Sequence, residues 1–196
     1  MLCNMEQIAI FASGKGSNAA RLCGRFSTHP SARIRLIACD RATAGVYDIA
    51  REHKVPSLHL SEELRHHPEK LLAALREHGI TFIVLAGYLR LIPKAIVDAY
   101  PKRIINLHPA LLPKFGGKGM HGMHVHEAVA AAGETETGIT IHYVNEHYDE
   151  GAVIAQFSSP LPAGATPSYI AAIIADLEAK HFPVVVEEVV VNSRRG

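Results

Sequence analysis

This sequence has little net charge and no long apolar run. Its 20 Lys and Arg residues and 19 Asp and Glu residues leave a formal charge of +1. Such a balance produces no broad field for polyanions and argues against nucleic acid as a partner. No stretch approaches the roughly 18 apolar residues that a membrane span needs, and residues 1–7 lack the pattern of a secretory leader. We therefore expect a cytoplasmic protein with no membrane partner.

Cysteine is also scarce. Cys3, Cys23 and Cys39 form no CxxC pair and cannot all pair within one chain, which argues against a disulfide scaffold and predicts reduced thiols. The sequence also contains no GxxxxGK[ST] segment, so a Walker A nucleotide site is excluded.

The 13 histidines raise the possibility of a metal site, above all His121, His124 and His126 in one loop. A zinc site of this kind is normally completed by an HExxH segment, clustered cysteines or nearby carboxylates. No HExxH segment, clustered cysteine or carboxylate-rich loop accompanies the three histidines. We therefore predict no metal.

Short apolar runs alternate with helical patterns through the first half of the chain. The runs predict strands at residues 8–12, 34–39, 57–60 and 82–86, and the patterns between them predict helices at 18–25, 44–53 and 68–78. Strands that alternate with helices form parallel sheets through right-handed crossovers. The sequence therefore predicts an α/β fold with a doubly wound, mostly parallel sheet.

The pattern changes after Pro113. A loop rich in Gly, His and Met covers residues 114–124, a helix is predicted at 125–132, and a last helix at 167–181 continues into 184–191. Two β-rich segments, 138–144 and 152–157, flank Asp149. We expect them to pair antiparallel at one edge of the sheet.

A glycine-rich turn joins the first strand to the first helix. Glycine lets the backbone approach an anion closely, and the N–H groups at a helix start attract it. We therefore predict a phosphate at Gly16, Ser17 and Asn18.

The same turn also supports a second interpretation. Gly14, Gly16 and Ala19 satisfy a GxGxxA pattern, and Asp40 ends the next strand as the ribose-binding acid of a dinucleotide fold would. An NAD-dependent oxidoreductase therefore remains an alternative.

The segment from Ile104 to Pro113 predicts a catalytic centre. If Ile104 and Ile105 end a buried strand, alternation places Asn106 and His108 on one face at its carboxyl end. An amide N–H can stabilise an oxyanion while an imidazole handles a proton. These residues therefore suit acyl transfer, and a carboxylate such as Asp149 could orient the imidazole.

Four segments occur in the order and spacing of one enzyme family, namely ASGKGSN, VLAGYLRLI, INLHPALLPKF and GITIHYVNEHYDEG. With them the chain resembles the phosphoribosylglycinamide formyltransferases of purine biosynthesis, from Ile8 to about Val190. The resemblance implies transfer of a formyl group from 10-formyltetrahydrofolate to the primary amine of glycinamide ribonucleotide. It implies no metal and no covalent intermediate.

The resemblance also assigns residues, by the positions at which the motifs match. It implies that the catalytic trio is Asn106, His108 and Asp149 and that Glu178 meets the ribose hydroxyls. It further implies that the phosphate is bound by Gly16, Ser17 and Asn18. The folate pocket would be formed by Leu89, Arg90, Leu91 and Ile92. We expect one domain over 1–196, with a phosphate-binding half at 1–100 and a catalytic and folate half at 101–196.

Two relatives of this family share the trio. A formyltetrahydrofolate hydrolase would use it on water and usually carries a regulatory domain, and a methionyl-tRNA formyltransferase should add an RNA-binding domain. The length of 196 residues disfavours both.

The loop at 114–124 is longer than in many relatives, and its glycines predict a mobile lid. Whether the protein is a monomer or a homodimer stays open.

Overall fold

A computed structural model describes residues 5–193, within which seven strands form one sheet. The elements along the chain are β1 (Glu6–Ala12), α1 (Ser17–Phe26), β2 (Ala32–Cys39), α2 (Val46–Glu52), β3 (Ser57–His59), α3 (Glu62–His66), α4 (Pro68–Glu77), β4 (Phe82–Leu85), α5 (Lys94–Ala99), β5 (Ile104–His108), α6 (Met123–Ala131), β6 (Glu136–Tyr143), β7 (Val153–Pro160) and α7 (Pro167–Asn192). The strand order is β3-β2-β1-β4-β5-β6-β7.

The central strands are buried on both faces. In β1, Ile8 and Ile10 pack into one hydrophobic cluster, which α1, α2, α6 and α7 cover. Ala9 and Phe11 pack into a second cluster on the opposite face, together with α4 and α5. A continuous apolar run is typical of such a doubly covered parallel strand.

The predicted antiparallel edge is present. Strands β1 to β5 are parallel, whereas β6 pairs antiparallel with both β5 and β7. Strand β7 lies at the edge, and its Val153 is 52% exposed. The predicted fold class, a doubly wound and mostly parallel sheet with an antiparallel edge in the C-terminal half, is confirmed.

Several predicted boundaries were wrong. The short helices α3 and α5 were missed, because α3 buries no residue and α5 buries only Ile96, so neither gives an apolar period in the sequence. Helix α6 begins at Met123, so it includes the last two residues of the predicted loop. The last helix, in contrast, continues past Pro183 as predicted and ends at Asn192, and buried residues on both sides of that proline pack it onto the sheet.

The topology also indicates where a ligand would bind. From β1 the strands proceed to β2 and β3 on one side and to β4 and β5 on the other. In open α/β sheets, ligands bind at the carboxyl ends of the strands where the order reverses in this way. Here that position is the end of β1 and β4.

Among residues 5–193, no helix is both long and apolar enough to cross a bilayer. Cys23 and Cys39 are buried free thiols, and burial raises the pKa of Cys23 to about 11. Cys3 lies outside the described residues.

Candidate active site

A cavity of about 370 Å³ lies at the carboxyl ends of β1, β4 and β5. Residues from both predicted halves of the chain line it. The loop after β4, at residues 88–92, lies in the predicted phosphate-binding half at 1–100, although it is the segment predicted to form the folate pocket. Every residue predicted for the site lines this one cavity: Gly16, Ser17, Asn18, Leu89, Arg90, Leu91, Ile92, Asn106, His108, Asp149 and Glu178. Asp40 is not among its lining residues.

The predicted trio converges around the carboxylate of Asp149. Asn106 Nδ2 donates to Asp149 Oδ1 at 3.3 Å, and His108 Nδ1 lies 3.5 Å from Asp149 Oδ2. The backbone N–H of Gly117 donates to the same Oδ2 at 2.9 Å. Asp149 adopts a left-handed backbone conformation with φ 57° in the turn between β6 and β7. The fold therefore brings together an amide, an imidazole and a carboxylate that are distant in sequence.

His108 is held in one orientation. Only 4% of its side chain is exposed, and its Nε2 lies 2.7 Å from the carbonyl oxygen of Phe115. Because a carbonyl only accepts, Nε2 carries the hydrogen and Nδ1 of the neutral ring has the free electron pair, directed at Asp149. Burial lowers the pKa of His108, and the charge of Asp149 and the Phe115 carbonyl offset only part of that effect. The imidazole is therefore neutral near pH 7, as a proton acceptor must be.

Asp149 is ionised despite its position. Burial by itself would raise its pKa. The imidazoles of His142 and His108, when these rings are protonated, and the N–H of Gly117 outweigh that effect and hold the pKa of Asp149 below its usual value. A fixed negative charge therefore lies beside His108, where it can stabilise a protonated imidazole.

His142 is the main site residue that the sequence analysis missed. Its Nδ1 lies 2.8 Å from the carbonyl oxygen of Tyr143 and its Nε2 lies 3.1 Å from Asn106 Nδ2. Nδ1 therefore donates to Tyr143 and Nε2 accepts from Asn106. Both N–H groups of the Asn106 amide are thus directed, one to His142 and one to Asp149. The sequence signal was a histidine inside an apolar strand, but only the β5–β6 register sets Asn106 opposite His142.

The turn after β1 has the geometry of an anion site. Gly16 precedes α1 with φ 86°, and a Cβ at this position would lie 2.8 Å from Val46 Cγ2. Only glycine fits both the left-handed backbone and the close approach of Val46. The first N–H groups of α1 have no partners within the helix, and its first turn contains no acidic residue.

Glu178 of α7 reaches the start of α1. The side-chain amide of Asn18 donates to Glu178 Oε2 at 2.8 Å, across 160 positions of sequence. Burial raises the pKa of Glu178, and the contact with Asn18 only partly opposes that rise. The Asn18 side chain is therefore directed at Glu178, and an anion at this turn would meet the helix N–H groups and Ser17 first.

The acid that suggested a dinucleotide site is engaged elsewhere. Asp40 Oδ1 accepts from Ser13 Oγ at 2.6 Å and Oδ2 accepts from Arg90 Nε at 3.0 Å. Only 1% of the Asp40 side chain is exposed. Both carboxylate oxygens therefore have partners within the protein, which weakens the NAD-dependent alternative.

The histidines near the loop do not gather around a common point. His121 and His124 lie with ring centroids 5.7 Å apart, and among residues 5–193 no group of three His, Cys, Asp or Glu side chains could hold a metal ion. His126 lines the cavity and is buried, and its Nδ1 has no hydrogen-bond partner in that same range.

Comparison with known proteins agrees with this geometry. Residues 6–186 match the family model described as formyl transferase. The chain is 39% identical over 189 residues to a chloroplastic phosphoribosylglycinamide formyltransferase of Arabidopsis thaliana, covering 92% of this chain and 64% of that protein. It is 34% identical to the phosphoribosylglycinamide formyltransferase of Bacillus subtilis, with 98% of each chain covered.

The chain thus spans less than two thirds of the length of the Arabidopsis relative and nearly all of the Bacillus one. Among solved structures, glycinamide ribonucleotide transformylase 1 from Geobacillus kaustophilus superimposes with a TM-score of 0.86 at 34% identity, over 95% of this chain and 100% of that one. The chain therefore belongs to the formyl transferase family, and both curated relatives named above are phosphoribosylglycinamide formyltransferases.

Proposed function

We propose that this enzyme transfers the formyl group of 10-formyltetrahydrofolate to the amine of glycinamide ribonucleotide. The observation that carries the proposal is the convergence of Asn106, His108 and Asp149 on one cavity. The glycine-rich turn at residues 13–18, here called the phosphate turn, also lines this cavity. A phosphorylated amine and a formyl donor could meet in such a cavity. The names of the similar enzymes support the same substrates.

The neutral imidazole suits the first step. When the amine attacks the formyl carbon, a C–N bond forms, the carbonyl oxygen becomes an oxyanion and the nitrogen acquires a positive charge. His108 Nδ1 accepts the proton from that nitrogen, and Asp149 at 3.5 Å stabilises the resulting imidazolium. The oxyanion then re-forms the C=O double bond as the bond between the formyl carbon and the folate nitrogen breaks, and the proton passes from His108 to that nitrogen.

Asn106 stabilises the oxyanion. Its N–H toward Asp149 makes the longer of its two hydrogen bonds, 3.3 Å against 3.1 Å toward His142. We expect that N–H to turn toward the developing oxyanion, while the hydrogen bond to His142 holds the orientation of the Asn106 amide. Alignment of the two substrates supplies much of the remaining rate, since effective molarities of about 10⁵ M or more are known for well-oriented reactants.

The remaining cavity walls suit the two substrates. Leu89, Leu91 and Ile92 offer an apolar surface for the ring of the folate, with the backbone of Arg90 and Ile92 available to its polar edge. The turn at Gly16, Ser17 and Asn18 offers N–H groups to the phosphate, and Glu178 lies beside it for the ribose hydroxyls. The cytoplasmic location and the division into two halves stay predictions.

The test is to mix the purified protein with glycinamide ribonucleotide and 10-formyltetrahydrofolate and to follow tetrahydrofolate release by absorbance. We expect release only when the ribonucleotide is present. Release at the same rate without it would identify a formyltetrahydrofolate hydrolase instead, and NAD binding without a folate requirement would favour the oxidoreductase.

A matched pair of variants tests the assigned centre. His108→Ala should lower turnover by about 10² or more, as loss of a positioned proton acceptor does. His124→Ala removes an exposed histidine that does not line the cavity and should leave turnover unchanged. Near-normal turnover in His108→Ala, with the fold retained by circular dichroism, would remove His108 from the mechanism.

A further inference from the structure

The buried carboxylate of Asp40 has no part in the proposed reaction, yet it joins two walls of the cavity. Ser13, which begins the phosphate turn, donates to its Oδ1 at 2.6 Å. Arg90, which belongs to the loop at 88–92 after β4, donates to its Oδ2 at 3.0 Å. Only 1% of the Asp40 side chain is exposed. One carboxylate therefore holds both segments.

A second set of contacts reinforces the same junction. The backbone N–H of Ser13 donates to the carbonyl oxygen of Gly87 at 2.9 Å. The backbone N–H of Leu89 donates to Ser13 Oγ at 3.1 Å, so this hydroxyl accepts from the loop while it donates to Asp40. The loop is thus held at Gly87, Leu89 and Arg90, and all three contacts lead to Ser13 or Asp40.

The charge of Asp40 makes these contacts interdependent. Burial by itself would raise the pKa of Asp40, but the hydrogen bonds from Ser13 and Arg90 and the charge of Arg90 hold it below its usual value. A buried carboxylate that stays ionised is costly without its partners. The Arg90 side chain, 55% exposed, is therefore committed to Asp40, and its backbone groups remain available to a ligand.

We propose that Asp40 is a positioning residue that fixes the loop at 88–92 against the phosphate turn and thereby sets the affinity for the formylfolate donor. This inference rests on the proposed function, which assigns the donor to that loop. A loop that is ordered before the donor arrives loses less conformational entropy on binding, and the affinity is higher for that reason.

The experiment measures donor affinity and loop order separately. Asp40→Asn keeps an oxygen for Ser13 but removes the charge that holds Arg90, and Arg90→Gln removes the other side of the pair. Each should raise the Kd for the stable donor analogue 10-formyl-5,8-dideazafolate about fivefold, less than the full strength of a charged hydrogen bond, because Arg90 is 55% exposed and the bond acts on the donor only through the order of the loop. The Kd for glycinamide ribonucleotide should change by less than about twofold, because the helix N–H groups that we assign to the phosphate stay in place.

Two comparisons separate positioning from a general structural effect. The double variant should bind the donor analogue no more weakly than either single variant, since both remove one interaction. Hydrogen exchange at the Leu89 amide should be faster in both single variants, whether or not a folate binds. Asp98→Asn provides the control, because it breaks the exposed pair with Lys94 on α5, the next helix after the loop.

Each outcome bears on the proposal. Unchanged donor affinity and unchanged exchange at Leu89 in both variants would overturn it. Equal weakening of both substrates together with a lower melting temperature would assign Asp40 a purely structural role and would also overturn it. If the wild-type protein binds no folate while exchange at Leu89 still responds to Asp40→Asn, the proposed function fails and the positioning of the loop stands.

Discussion

Replacing Asp149 by Asn tests the electrostatic part of the mechanism with little change of shape. The carboxylate lies 3.5 Å from His108 Nδ1, and the two side chains are 11% and 4% exposed. At that separation and an effective dielectric constant of about 20, Coulomb's law gives about 5 kcal/mol for two unit charges. Relaxation around the neutral variant recovers part of this energy. We take about half as lost, which corresponds to about a 100-fold decrease in kcat.

The same substitution should change the pH dependence in a defined direction. The charge of Asp149 is one of the influences that oppose the lowering of the His108 pKa by burial. Without that charge the pKa of His108 falls further, so the acid limb of the kcat profile should move to lower pH. Steady-state kinetics across the pH range in which the variant stays folded measures both effects.

Glu150→Gln is the matched control, because it neutralises the adjacent acidic residue, which is exposed. It should change neither kcat nor the position of the acid limb. A kcat of Asp149→Asn within about threefold of wild type would refute the role of its charge, given that such groups normally contribute about 10² or more. An acid limb that moves to higher pH would refute the assignment of that limb to His108.

The structure supports three further predictions. Gly16→Ala should lower the melting temperature and raise the KM for the ribonucleotide, because the new Cβ would lie 2.8 Å from Val46 Cγ2. Overpacking of this kind typically costs about 1–3 kcal/mol. An unchanged melting temperature would contradict this prediction. Burial raises the pKa of Glu178, so its ionisation destabilises the fold as pH rises. Glu178→Gln should therefore have a higher melting temperature than wild type at pH 8. Thermal scans should show this difference in melting temperature shrinking as the pH falls through the pKa of Glu178. His142→Leu leaves an N–H of Asn106 without an acceptor. It should lower kcat about tenfold and lower the free energy of unfolding by about 1–3 kcal/mol. An unchanged kcat would exclude a role of His142 in orienting the amide.

Much of the fold followed from short-range patterns. Short apolar or β-rich segments identified every strand, and the central strands β1 and β4 were the clearest, since a strand buried on both faces must be apolar along its length. Helices with a long apolar stripe were recognised as well. The helices α3 and α5 were not, because an element of five or six residues that buries at most one side chain leaves no period in the sequence.

Part of the candidate site was equally local. Asn106 and His108 share a face because side chains alternate along a strand, and a turn with two glycines before a helix predicts an anion site whatever lies around it. The amino-acid sequence by itself therefore determined the fold class, and it was enough to predict an anion-binding turn and two members of the proposed trio.

Only the tertiary structure decided which distant groups these residues meet. The register of β5 against β6 sets His142 beside Asn106, and the docking of α7 on α1 brings Glu178 to Asn18. The environment of Asp40, whose carboxylate faces Ser13 and Arg90, was undetermined for the same reason. Contacts between elements depend on strand register and helix packing, which are set by the burial of the whole core, and no local period in the sequence encodes them.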